Sequence, residues 1–92
     1  MTVGHGAILH SCTVEDGCLI GMGSIILDRA VVGRNSLVGA GSVVVPGMQI
    51  PEGSLVMGSP ARVKRALTKE EISRLGEGVE HYLRLSREYN SL

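Results

Sequence analysis

Ninety-two residues make one small domain, and nine basic and nine acidic side chains cancel to zero net charge. That balance excludes nucleic acid or an anionic membrane as the main partner, and no apolar run reaches the ~18 residues that a bilayer span needs. Two cysteines, Cys12 and Cys18, without a CxxC pair suit a reducing cytoplasm. Met1–Gly6 has neither the cationic nor the apolar segment of a targeting peptide. With no Phe or Trp and 13 glycines, the interior must be built from Val, Ile and Leu in narrow layers. A chain this short buries only roughly 60–65% of its unfolded surface, so it needs staples or partners.

The first residues open a repeat and then break it. Val3 and Leu9 are six apart, but Leu9 to Val14 is only five, and His5 and His10 flank the shortened edge. Each histidine follows an inward aliphatic by one or two residues, which predicts a position at or near a corner, facing out. From Val14 the beat is unbroken: Ile20, Ile26, Val32, Val38, Val44, Ile50 and Val56, all β-branched and suited to strands. Two residues before each lies a mostly small side chain: Cys12, Cys18, Ser24, Ala30, Ser36, Ser42, Met48 and Ser54. Three residues after come Gly17, Gly23, Arg29, Asn35, Gly41, Gly47 and Gly53, mostly types that tolerate positive φ.

A large inward residue, a small inward residue and a left-handed corner make one short edge. Three edges close a triangular turn of 18 residues, stacked on the next at about 4.8 Å. Residues 1–59 therefore read as an all-β solenoid, a parallel β-helix of about three coils. A helix does not keep a six-residue spacing on one face, and a β-sandwich needs turn signals every ~8–12 residues. The residue before each β-branched position points outward, and six of these seven, Leu19, Ile25, Val31, Leu37, Val43 and Leu55, are apolar, with Gln49 the exception. Sorted by 18, Leu19, Leu37 and Leu55 share a face, and Ile25 and Val43 share another. Aliphatic ladders on the outside call for a cover, which predicts a homo-oligomer.

Ser59-Pro60 ends the coil, because proline cannot extend a ladder. Residues 60–67 are expected as a connector, whose Arg62, Lys64 and Arg65 read as solvated charges with phosphate or CoA contact as the functional alternative. A helix is predicted over 68–90, with Thr68 as cap, Glu71 as its box partner and Leu67 as staple. Ile72, Leu75, Val79, Tyr82, Leu83 and Tyr89 form its apolar stripe, which should pack on one face of the coil. Among the remaining polar residues, Asp28 and Arg29 are expected to pair with each other or with solvent. Ser24, Ser36 and Ser42 fit the small inward slot and have no adjacent base.

His5 and His10 carry two readings: surface histidines, or ligands of a metal at a repeat defect. Five residues along an edge span up to roughly 16 Å, against zinc–nitrogen bonds of about 2.0–2.1 Å. One chain would have difficulty bringing both rings to one ion, whereas His5 of one chain could approach His10 of another.

The stretch VGHGAILHSCTVEDGCLIGMGSIILDRAVVGRNSLVGAGSVVVPG, with the tail GSPARVKRALTKEE, resembles the γ-class carbonic anhydrases and their hexapeptide-repeat relatives. The resemblance implies a left-handed β-helix, a homotrimer, and zinc (or iron or cobalt) between subunits, with His5 and His10 as ligands from adjacent chains. It also implies a first metal histidine about two turns upstream, ahead of Met1, so that these residues form a truncated scaffold with an incomplete zinc site and weak or lost hydratase activity. No catalytic residue is assigned. Cys12 is a poor third ligand because it occupies the inward row, and His81 belongs to the tail helix. The exposed first coil is expected to be capped by a second trimer stacked end to end, or by another chain. The alternatives are an active zinc-dependent hydratase or thioesterase-like enzyme completed by a partner, and a CoA-dependent hexapeptide acyltransferase. The last ranks lowest, because residues 12–58 leave no room for an inserted loop.

Overall fold

The computed structural model describes residues 1–75. Two-residue strands come first: β1 (Thr2–Val3), β2 (Ile8–Leu9), β3 (Thr13–Val14), β4 (Leu19–Ile20), β5 (Ile25–Ile26), β6 (Val31–Val32), β7 (Leu37–Val38), β8 (Val43–Val44) and β9 (Gln49–Ile50). Longer elements follow: β10 (Ser54–Gly58), β11 (Ala61–Ala66) and the helix α1 (Lys69–Arg74). Every third strand pairs in parallel, giving three sheet faces ordered β1-β4-β7-β10-β11, β2-β5-β8 and β3-β6-β9. This is the parallel β-solenoid that the six-residue beat predicts, about three turns long.

The inward columns form as expected. Ile20, Ile26, Val32, Val38, Val44, Ile50 and Val56 are buried, and Cys18, Ser24, Ala30, Ser36, Ser42 and Ser54 fill the small slots between them. The buried hydroxyls are satisfied by corner carbonyls: Ser24 and Ser42 donate to Gly39 O, and Ser36 and Ser54 to Pro51 O. Such pairing avoids the cost of a buried unsatisfied group. Cys18 likewise donates to Gly33 O at 3.1 Å, and burial pushes its thiol pKa up, which makes it a structural rather than a reactive sulfur.

All seven predicted corner residues adopt φ between 58° and 76°, Arg29 and Asn35 included. Gly33 is needed for a different reason. A Cβ there would lie 2.5 Å from Glu52 N and 2.6 Å from Ile50 O, backbone that cannot yield. The five-residue edge is visible in the register. β1 and β2 meet the next turn 17 residues on (Val3 against Ile20, Leu9 against Ile26), whereas β3 meets it 18 on (Val14 against Val32). Ser11, at φ 49°, makes the extra tight corner between them.

The segment expected as a connector is instead a strand. After the turn at Ser59-Pro60, β11 runs antiparallel to β10, with Met57 opposite Arg62 and Ser54 opposite Ala66. Past the turn, the free edge of β10 still offers backbone partners, and the chain folds back to take them. Exposed Arg62 and Lys64 then lie on the outermost strand, where charge discourages further pairing.

Thr68 caps α1 and forms the predicted box with Glu71. Leu67, Leu75 and the half-buried Ile72 pack on Leu19, Leu37 and Leu55, so the first sheet's outer face is covered within the chain. The predicted stripe residues beyond Leu75 and the rest of the helix expected to residue 90 lie outside the described residues.

Arg65 grips Glu71 with two parallel bonds of 2.6 and 2.7 Å, and Thr68 N donates to the same carboxylate. These contacts hold the Glu71 carboxyl at about 2, below its ordinary 4.5. Glu71→Ala should cost about 1 kcal/mol at pH 7 in urea unfolding, the usual worth of a cap plus a part-buried ion pair. A depressed carboxyl contributes fully above its unfolded value and loses that contribution as pH falls through its folded value. The gap between wild type and variant should therefore be constant above pH 4.5 and close towards pH 2.

Candidate functional site

The two histidines sit at successive corners of the first turn. His5 follows β1, at the corner between the first and second sheets, and its carbonyl accepts from Gly23 N at 2.9 Å. His10 directly follows β2, at the corner between the second and third sheets, and its own N–H donates to Ile26 O. β2 thus runs between the two imidazoles, which point away from the core and are exposed.

The face between these corners is the second sheet. Its outward column is Ile8, Ile25 and Val43, with Ile8 53% exposed and the other two half-buried. Met22, beside the His5 corner, and Val45, beyond the second sheet on the His10 side, are also exposed. The first sheet's outer face is sealed by Leu67 and Leu75, whereas this one keeps an apolar surface in view. His5 also lines an apolar groove of about 430 Å³ with Val3, Gly4, Ile20, Gly21 and Met22.

His10 has a carboxylate partner. Its Nδ1 hydrogen-bonds Asp28 Oδ1, and both side chains remain more than half exposed. The expectation that Asp28 pairs with Arg29 or solvent is thereby corrected. The backbone register sets His10 level with Leu27, and Asp28 reaches the ring from the next position, at the corner, an alignment that the slip in the beat hid.

Among the described residues, no three His, Cys, Asp or Glu side chains converge on one point. Cys12 packs against the inward cluster with Ala7 and Val14, away from either imidazole's exposed side. His81 lies outside the described residues.

A triangular solenoid with six-residue edges, small inward slots and left-handed corners defines a hexapeptide-repeat protein. The comparisons agree: the family model for bacterial transferase hexapeptide (six repeats) matches residues 11–46. A carbonic anhydrase of Geobacillus kaustophilus is 47% identical over the whole chain, which spans 50% of that relative. The mitochondrial γ carbonic anhydrase 2 of Arabidopsis thaliana is 42% identical over 95% of the chain, which spans 31% of it. Among solved structures, a hexapeptide transferase family protein from Anaplasma phagocytophilum aligns with TM-score 0.77 at 44% identity, over 95% of this chain and 54% of that one. The chain belongs to the hexapeptide-repeat family, in its γ-class carbonic anhydrase-like group. It spans about half or less of the length of these relatives.

Proposed function

We propose that these residues form one subunit of a γ-class carbonic anhydrase-like homotrimer, a scaffold in which zinc is held between subunits by His5 of one copy and His10 of the next. The observation that carries this reading is that both imidazoles stand on the corners bounding an apolar face that no described residue covers. In a cyclic trimer every interface is heterologous and joins two different patches. Closing the ring over Ile8, Ile25 and Val43 would bring a His5 corner against a neighbour's His10 corner.

The donor set fits the metal in kind and falls short in number. Exposed imidazoles suit zinc. A catalytic zinc takes three protein ligands and a water, whose pKa it lowers to about 7 so that hydroxide is available to attack carbon dioxide. The described residues supply two such ligands per interface and no third. Built from the described residues alone, such a site is partial, with weak affinity and little or no hydratase activity. Solved structures of hexapeptide-repeat acetyltransferases similar to this chain, one of them holding acetyl coenzyme A, favour a second reading, CoA-dependent acyl transfer. That reading has less support, because β3 to β10 succeed one another with no inserted loop to carry a histidine base.

Elemental analysis paired with a carbon dioxide hydration assay on the 92-residue protein tests the proposal. Zinc should approach one per interface at saturating metal and fall to background in His10→Ala, with slow hydration in both. Metal-free wild type after zinc loading would end the metal reading, and rapid hydration would end the partial-site reading.

A further inference from the structure

His10 and Asp28 meet because of the defect in the repeat. On the second sheet the register is 17, pairing Leu9 with Ile26, and on the third it is 18, pairing Thr13 with Val31. The change occurs over residues 10–12, where the edge has lost one residue. The backbone there is pinned on both strands: His10 N donates to Ile26 O, Arg29 N to Ser11 O at 2.8 Å, and Gly47 N to Asp28 O at 2.8 Å. Ser11 and Arg29 both take left-handed φ at this place, 49° and 63°, although neither is glycine. The corner that shortens the edge is therefore the corner that sets a carboxylate beside the imidazole.

The contact decides the chemistry of the ring. Asp28 Oδ1 is an acceptor, so the Nδ1 that meets it must carry the proton. The lone pair of a neutral ring is then left on Nε2. A free histidine in water exchanges between two tautomers, and only one of them presents Nε2 as a donor to a cation. A carboxylate behind a metal-binding imidazole fixes both tautomer and ring orientation and raises ligand basicity, typically by an amount worth 10–100-fold in metal affinity.

We propose that Asp28 is a positioning residue, which holds His10 as the Nδ1–H tautomer so that Nε2 is the atom offered to a divalent metal. The metal half of this statement rests on the inter-subunit zinc reading above, whereas the tautomer half stands on the metal-free protein alone. Asp28→Glu keeps a carboxylate and should retain part of the effect. Asp28→Asn offers an amide N–H to Nδ1 and so permits the opposite tautomer, the failure expected when an orienting carboxylate is replaced by an amide.

Two measurements on the full chain test it. Long-range ¹H–¹⁵N correlation of the imidazoles, without metal and at a pH where they are neutral, should show His10 protonated on Nδ1 in wild type. In Asp28→Asn it should show a mixture or the Nε2–H form, with His5 unchanged. Competition for zinc against a chromogenic chelator should give about 10–100-fold weaker binding in Asp28→Asn and a smaller loss in Asp28→Glu. Unfolding midpoints of the variants, matched to wild type, separate positioning from a folding defect. An unchanged tautomer in Asp28→Asn would overturn the proposal, as would unchanged zinc affinity in a protein that binds zinc. If wild type binds no zinc, the inter-subunit reading fails by itself, and the imidazole spectra still uphold or reject the orientation by Asp28.

Discussion

Ile26→Ala should unfold the protein at markedly lower urea, with a loss of about 2–5 kcal/mol. Ile26 has no solvent exposure and lies on the middle strand of the second sheet, between Leu9 of the turn before and Val44 of the turn after. Its neighbours are held by hydrogen bonds on both sides, through Leu27 N to Val44 O and His10 N to Ile26 O, so the walls cannot collapse into the space left. A domain of this length has a total stability of roughly 5–14 kcal/mol, and the loss is a large part of it.

Leu9→Ala is the informative control. Leu9 stands in the same column but is 37% exposed, because it belongs to the first turn. It should cost less than half as much as Ile26→Ala, since part of its surface is already in water. Both variants must be compared at one protein concentration, because the proposed oligomerisation would contribute to apparent stability. Equal costs at the two positions would contradict a continuous interior column that is densest in the middle of the stack.

The interior was legible in the sequence because a solenoid repeats its environment. Val14 to Val56 recur at one spacing since each meets the same slot in the turn above and below, so the pattern survives without knowledge of any distant contact. The corner residues are legible for the same reason, down to Arg29 and Asn35 replacing glycine at positive φ. What escaped depends on contacts outside the repeat. β11 has one β-branched residue, Val63, between two cations, and its strand character comes from the open edge of β10 rather than from its own pattern. The face that the helix covers, Leu19, Leu37 and Leu55, could not be chosen from periodicity, because two outward columns were almost equally apolar.

The histidines show the same division. Their exposure and corner placement followed from the beat, since a residue one or two positions past an inward aliphatic turns outward. The Asp28 partner did not follow, because the slip leaves His10 level with Leu27 of the next turn and Asp28 one position further on. A five-residue edge shifts every comparison across it by one, and a one-residue error in register moves a side chain to the wrong neighbour.

Subunit mixing tests most directly whether two corners of different copies share one ion. In the proposed trimer, His5→Ala and His10→Ala proteins should each hold only background zinc, because every interface would lack one imidazole. When the two variants are unfolded, mixed and refolded together, a ring containing both kinds of subunit has one interface where an intact His5 faces an intact His10. Zinc should then return, to at most one ion per mixed trimer, and the recovered amount should follow the mixing ratio and peak near equal proportions. Recovery in the mixture but in neither parent is the result that the inter-subunit site predicts. Mixed trimers of confirmed composition that stay as metal-poor as their parents, while wild type binds zinc, would contradict it.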